Sequence, residues 1–152
     1  MSNQPQLNCS DDDILSVTSS GSLTYIVESA INIVDISGVQ IENDGAITNA
    51  ADGSNNTHSN LIDASTSLNT TITNNGIIDL ATDATEDYAI KLTGAENITI
   101  TNNSGATINS ADAYAIGGNN IGDCNKNGSS GCHPSLSLSL IHISEPTRPR
   151  LI

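Results

Sequence analysis

Residues Ala95–Ile116 read AENITITNNSGATINSADAYAI, and this stretch decides how the rest of the chain is read. Two short runs, Asn97–Asn102 and Ala106–Ser110, alternate apolar and polar positions on either side of an Asn-Asn-Ser-Gly turn. A third apolar scrap, Tyr114–Ile116, follows a polar loop. β-Branched residues at every second position, bounded by Asn/Ser/Gly clusters, are a strand signature. No window sustains apolar residues at i, i+3, i+4 and i+7, so a helical reading fails.

The same order of parts occurs twice upstream, in Thr70–Leu92 (TTITNNGIIDLATDATEDYAIKL) and in Val39–Ala64 (VQIENDGAITNAADGSNNTHSNLIDA). The copies align on an Ile-x-Asn core followed by glycine. Ile41-Glu42-Asn43 leads to Gly45, Ile72-Thr73-Asn74 to Gly76, and Ile100-Thr101-Asn102, with one extra residue, to Gly105. These glycines are 31 and 29 residues apart, within the period range of solenoids. Each copy adds a second apolar peg (Ile47, Ile78, Ile108) and a third (Ile62, Ile90, Ile116). Three strand-sized segments joined by polar turns make one coil of a parallel β-helix. The predicted fold is therefore all-β, a parallel β-helix of about three to four coils.

Coils of such a helix stack about 4.8 Å apart, so equivalent side chains lie over one another. Ile41, Ile72 and Ile100 are expected to form one inward ladder, and Ile47, Ile78 and Ile108 another. Glu42, Thr73 and Thr101 then face outward, because successive strand side chains alternate faces. Asn43, Asn74 and Asn102 are expected to stack at the corner, each amide bonding its neighbours, which satisfies a buried polar group. Gly45, Gly76 and Gly105 are expected to turn that corner with a positive φ.

Composition agrees with a stacked aliphatic core. The 152 residues suffice for one ordinary domain or a piece of a solenoid, and aromatics make up 2%, with neither Phe nor Trp. A net charge of −13 argues against nucleic acid and anionic membranes as partners. Four segments follow from the pattern: a lead-in at 1–22 containing Asp11-Asp12-Asp13, the repeats at 23–118, a Gly/Asn/Ser-rich Cys loop at 119–137, and a tail at 138–152. Leu23–Val27 and Ile31–Ile36 are placed in an irregular first coil, as terminal repeats are atypical. Met1–Gln6 has neither the basic nor the apolar region of a signal peptide. No apolar run reaches the roughly 18 residues of a membrane helix.

The repeats ITNNGIID (Ile72–Asp79), YAIKLTGAENITITNNSGATINS (Tyr88–Ser110) and AYAI (Ala113–Ile116) resemble the passenger region of Gram-negative outer-membrane autotransporters. The similarity spans roughly Leu23–Gly118. It implies a secreted, surface-displayed, right-handed β-helix that serves as an adhesin stalk. Host-surface or carbohydrate ligands would meet its loops, and membrane contact would come only through a C-terminal barrel. The composition shifts at Pro134, and LSLIHISEPTR (Leu138–Arg148) resembles a translated transposase-type sequencing adapter. On that reading 138–152 is non-native and the solenoid is truncated.

Cys124 and Cys132 bracket a seven-residue Gly/Ser/Asn loop and are expected to pair in an oxidising compartment, leaving Cys9 as a lone thiol. Free thiols in a reducing compartment are the alternative. Asp123, Asn125, Asn127 and Gly128 copy the opening of a calcium loop, but Pro134 stands where its bidentate Glu belongs. Cys124, Cys132 and His133 lack an evident fourth zinc ligand. No cofactor or metal is expected.

Nucleophile-elbow, zincin and P-loop motifs are all missing. His58 and His133 sit in polar loops. Asp79, Asp83, Glu86 and Asp87, with Lys91 as the nearest cation, mimic the carboxylates of a β-helical lyase, hydrolase or tailspike. This carbohydrate-active reading is the alternative to a non-enzymatic stalk. Thr71, Thr73, Thr99 and Thr101 suggest an ice-binding face, which Gln40 and Glu42 interrupt in the first copy.

Overall fold

A computed structural model describes residues 6–25, 29–49, 60–80, 88–110 and 115–118, and the backbone of 137–140. The described residues contain strands and turns, with no helix. Coil 1 is β1 (Leu7–Asn8), β2 (Ile14–Val17) and β3 (Ser22–Tyr25). Coil 2 is β4 (Ile31–Asn32), β5 (Gln40–Asn43) and β6 (Ala46–Asn49). Coil 3 is β7 (Ile62–Asp63), β8 (Thr71–Asn74) and β9 (Ile77–Leu80). Coil 4 is β10 (Ile90–Lys91), β11 (Thr99–Asn102) and β12 (Thr107–Ser110), followed by β13 (Ile116–Gly117) and β14 (Ser137–Leu140).

Each strand pairs in parallel with its equivalent in the next coil. The first sheet runs β1-β4-β7-β10-β13, the second β2-β5-β8-β11-β14, and the third β3-β6-β9-β12. Four strand triads thus stack through three coil steps, a parallel β-solenoid.

The register follows the apolar pegs. Leu7, Ile31, Ile62, Ile90 and Ile116 align in the first sheet. Leu15, Ile41, Ile72 and Ile100 align in the second, and Leu23, Ile47, Ile78 and Ile108 in the third. Of the large side chains that are fully buried, all are Ile or Leu. Burying each contributes about 1.5–3 kcal/mol, so uniform aliphatic ladders substitute for an aromatic core.

Within the expected lead-in at 1–22, the described residues belong to coil 1, because β1 and β2 lie there and pair with β4 and β5. Leu23 belongs to coil 1, while Ile31 opens coil 2. Coil 1 escapes the repeat pattern for a local reason: Val17 stands in register where coils 2 to 4 have asparagine. Its first corner is also shorter, residues 9–13 against 33–39, 64–70 and 92–98. At the adapter-like tail, the backbone of Ser137–Leu140 pairs with Thr99–Asn102 as one more strand of the second sheet.

Candidate functional site

The corner between the second and third sheets is built on asparagine. Asn43 Nδ2 donates to Asn74 Oδ1 at 2.7 Å, and Asn74 Nδ2 donates to Asn102 Oδ1 at 2.7 Å. The same amides reach the main chain of the next coil, Asn43 to Ile77 O at 3.1 Å and Asn74 to Thr107 O at 2.9 Å. Asn43 and Asn74 are fully buried, so these bonds satisfy groups that water cannot reach. Asn102 closes the ladder by donating to Ala106 O at 3.1 Å.

Beside this ladder the glycines act differently from the expectation. Of Gly45, Gly76 and Gly105, only Gly105 has a positive φ, +86°. Gly45 and Gly76 are held to glycine by crowding. A Cβ on Gly45 would collide with the carbonyl oxygens of Thr18 and Gly21, and one on Gly76 with the carbonyl of Gly45. The Gly21 and Gly45 carbonyls join the coils, accepting from Ala46 N at 3.1 Å and Ile77 N at 2.8 Å, whereas Thr18 O accepts from Gly21 N within its own turn at 2.7 Å. Gly105 has open space instead, because the extra residue in its turn moves it out of the column.

The corner between the first and second sheets carries two columns of left-handed residues. Asp35, Thr66 and Gly94 form one, with φ of 60°, 57° and 68°. Asp12, Gly38, Asn69 and Asn97 form the other, with φ of 62°, 79°, 51° and 54°. Asp, Asn and Gly are the residues that tolerate this region, and Thr66 is the exception. Thr66 Oγ1 donates to Asp35 Oδ1 at 2.5 Å, and Asn97 Nδ2 to Asn69 Oδ1 at 3.1 Å. Sequence reasoning passed over these columns. Their signal is the recurrence of Asp, Asn or Gly at coil spacing.

The carboxylate cluster considered for catalysis is only partly within the described residues. Asp79 Oδ1 accepts from Asn109 Nδ2 at 2.8 Å on the third sheet. Lys91, on the first sheet, makes its ion pair with Asp63 at 3.6 Å. Asp79 and Lys91 therefore serve different faces. Asp83, Glu86, Asp87, His58, Cys124, Cys132, Asp123, Asn125, Asn127, Gly128, His133 and Pro134 lie outside the described residues. Cys9 is a free, half-buried thiol, and burial followed by the Asp13 carboxylate holds its pKa above the usual value. Among the described residues no three His, Cys, Asp or Glu side chains gather as a metal site.

Thr71 and Thr73 pair with Thr99 and Thr101 on the outer face of the second sheet, and Gln40 and Glu42 continue the same rows. The flat threonine face is thus two coils deep before it meets an amide and a carboxylate.

Length variation is largest at one corner. The connections from the third sheet back to the first, 26–30, 50–61, 81–89 and 111–115, are 5, 12, 9 and 5 residues long. The second-to-third corner stays within two to four residues, at 18–21, 44–45, 75–76 and 103–106. No family model, curated protein or solved structure matches the chain.

Proposed function

We propose that this chain is a segment of a structural or adhesive β-helical stalk of the autotransporter type, displayed at a bacterial cell surface. The stack acts as a rigid scaffold, and loops from one corner meet a host-surface or carbohydrate ligand. One observation carries this reading: strand register is kept through every coil while connection length varies chiefly at the corner between the third and first sheets. Scaffolds that hold binding loops vary in this way, since surface connections tolerate insertion and register does not. The carbohydrate-active alternative has less support, because Asp79 bonds Asn109 while Lys91 is committed to Asp63.

Binding of labelled protein to a glycan array and to host cells tests the reading. Replacing 50–59 by a short Gly/Ser turn should abolish a positive signal and leave the β-sheet circular dichroism intact. Binding that survives shortening of both 50–59 and 81–87 would contradict it, as would turnover of a bound polysaccharide.

A further inference from the structure

Among the described residues, Asn75-Gly76 is the one Asn-Gly pair. An asparagine before glycine is chemically labile, because no Cβ keeps the glycine nitrogen from the asparagine carboxamide. The fold holds this position to glycine all the same: a Cβ on Gly76 would collide with the Gly45 carbonyl oxygen of coil 2. A labile pair is thus built into the corner between the second and third sheets.

The same corner restrains the pair. Asn75 N donates to Asn43 O at 2.7 Å and Ile77 N to Gly45 O at 2.8 Å, so coil 2 grips the main chain on both sides of Gly76. Gly76 N, the nucleophile, donates to Asn74 Oδ1 at 3.3 Å. The Asn75 carboxamide is tied at both ends. Its Nδ2 donates to Asp44 Oδ1 at 2.7 Å, and its Oδ1 accepts from Asn103 Nδ2 at 2.5 Å. Ring closure requires the carboxamide carbon to swing onto Gly76 N, which breaks these bonds. Asn75 and Asp44 are exposed, so solvent water can reach the reacting carbon.

We propose that Asn75 is a deamidation site gated by the step between coils 2 and 3, protected while that corner is closed and reactive once it opens. Gly76 N bonds to Asn75 Cγ, and its proton leaves with Nδ2 as ammonia. Water then opens the cyclic imide at either carbonyl, giving aspartate or isoaspartate. Both products weaken the step that protected the pair. Aspartate sets a carboxylate against Asp44 where a donor stood at 2.7 Å, and like charges this close repel. Isoaspartate lengthens the main chain by one atom, so Asn75 N and Ile77 N can no longer both meet their carbonyls in coil 2. An opening that lasts long enough to react is therefore made permanent. The inference rests on the coil step and is independent of what the loops bind.

The test is peptide mapping of the full chain aged in mildly alkaline heavy-oxygen water, folded and in guanidinium, since solvent oxygen enters the new carboxylate. Asn75 should react at least roughly tenfold more slowly in the folded chain. Asp44→Ala removes the acceptor of Asn75 Nδ2 and should speed the folded reaction several-fold, leaving the guanidinium rate unchanged. Asn75→Asp, the product itself, should lower the denaturant midpoint. Adding Asp44→Asn should restore most of that loss by supplying a donor, whereas Asn75→Leu, which brings no charge, should gain nothing from it. If a variant loses its β-sheet signal, the folded and unfolded rates of the unmodified chain still decide. Equal rates in the two states overturn the gate, and no reaction at Asn75 in guanidinium overturns the site. A midpoint unchanged by Asn75→Asp overturns the weakening of the step.

Discussion

Val17 pairs with Asn43 in the second sheet, and the Oδ1 of Asn43 is buried there without a hydrogen-bond partner. The asparagine ladder therefore has a defined upper end, where an apolar side chain meets an amide oxygen. Val17→Asn should supply the missing donor. In a double-mutant cycle with Asn43→Leu, the two sites should couple favourably by about 1 kcal/mol. Chemical denaturation of the four proteins measures this, and a coupling near zero would mean that the orphaned oxygen finds water.

Position within the ladder sets the cost of breaking it. Asn74→Leu removes both the acceptor for Asn43 Nδ2 and the donor to Asn102 Oδ1. Its expected cost is about 1–3 kcal/mol. Asn43→Leu should cost less, because it takes an unsatisfied oxygen away with it. Denaturant midpoints in the reverse order would contradict the bonding scheme.

The glycine column separates crowding from backbone strain. Gly76→Ala forces a methyl into the Gly45 carbonyl, which is fixed by the bond to Ile77 N. About 3 kcal/mol of destabilisation is expected from such overpacking. Gly105→Ala meets no neighbour and bears only the cost of a left-handed alanine, about 1 kcal/mol. Thermal or urea unfolding that ranks the two equally would show that a positive φ, and not the stacked carbonyls, governs both sites.

Thr66 is a β-branched residue held at φ 57° between Asp35 and Gly94 in its column. Its exposed hydroxyl bonds offset little of that strain. Thr66→Gly should therefore raise stability by about 0.5–1 kcal/mol. Gly94→Thr should lower it, since its Cβ would meet Thr66 Cγ2 at 3.3 Å in an unfavourable backbone. Loss of stability in Thr66→Gly would mean that the bond to Asp35 outweighs the strain.

The Cys9 thiol offers a pH readout of coil 1. Burial and the Asp13 charge both favour the neutral thiol, so its pKa lies above the ordinary cysteine value. The thiolate is the nucleophile, so alkylation at pH 8 should be slower at Cys9 than in a short peptide. Its rate should climb at higher pH. Asp13→Asn removes the charge and should speed the reaction at fixed pH, by a smaller factor than unfolding does. Peptide mapping after timed alkylation reads Cys9 separately, and a rate equal to that of the peptide would show that coil 1 is open.

The coils that share a chemical code were legible in the sequence. Ile41, Ile72 and Ile100 announce their register because each stands two residues before an asparagine that opens a glycine turn. Coil 1 was not legible, since Val17 breaks the code and its first corner is two residues shorter. The left-handed columns were hidden for another reason: Asp12, Gly38, Asn69 and Asn97 share a backbone requirement and no side-chain chemistry. Gly45 and Gly76 were located correctly and explained wrongly. A corner glycine can answer to a positive φ or to a neighbouring coil, and spacing along one chain does not distinguish them. The separation of Lys91 from Asp79 depends on which sheet each occupies, which follows only after the coil is closed.

The central claim is the in-register stacking of the coils, and isoleucine-methyl NOE spectroscopy tests it most directly. With Ile δ1 methyls labelled, cross-peaks should link Ile41 with Ile72, Ile72 with Ile100, Ile47 with Ile78, and Ile62 with Ile90. Ile41 and Ile100 sit two coil steps apart, about 10 Å, and should give a far weaker peak or none. A well-dispersed spectrum in which Ile72 shows contacts to neither Ile41 nor Ile100 would contradict the stack.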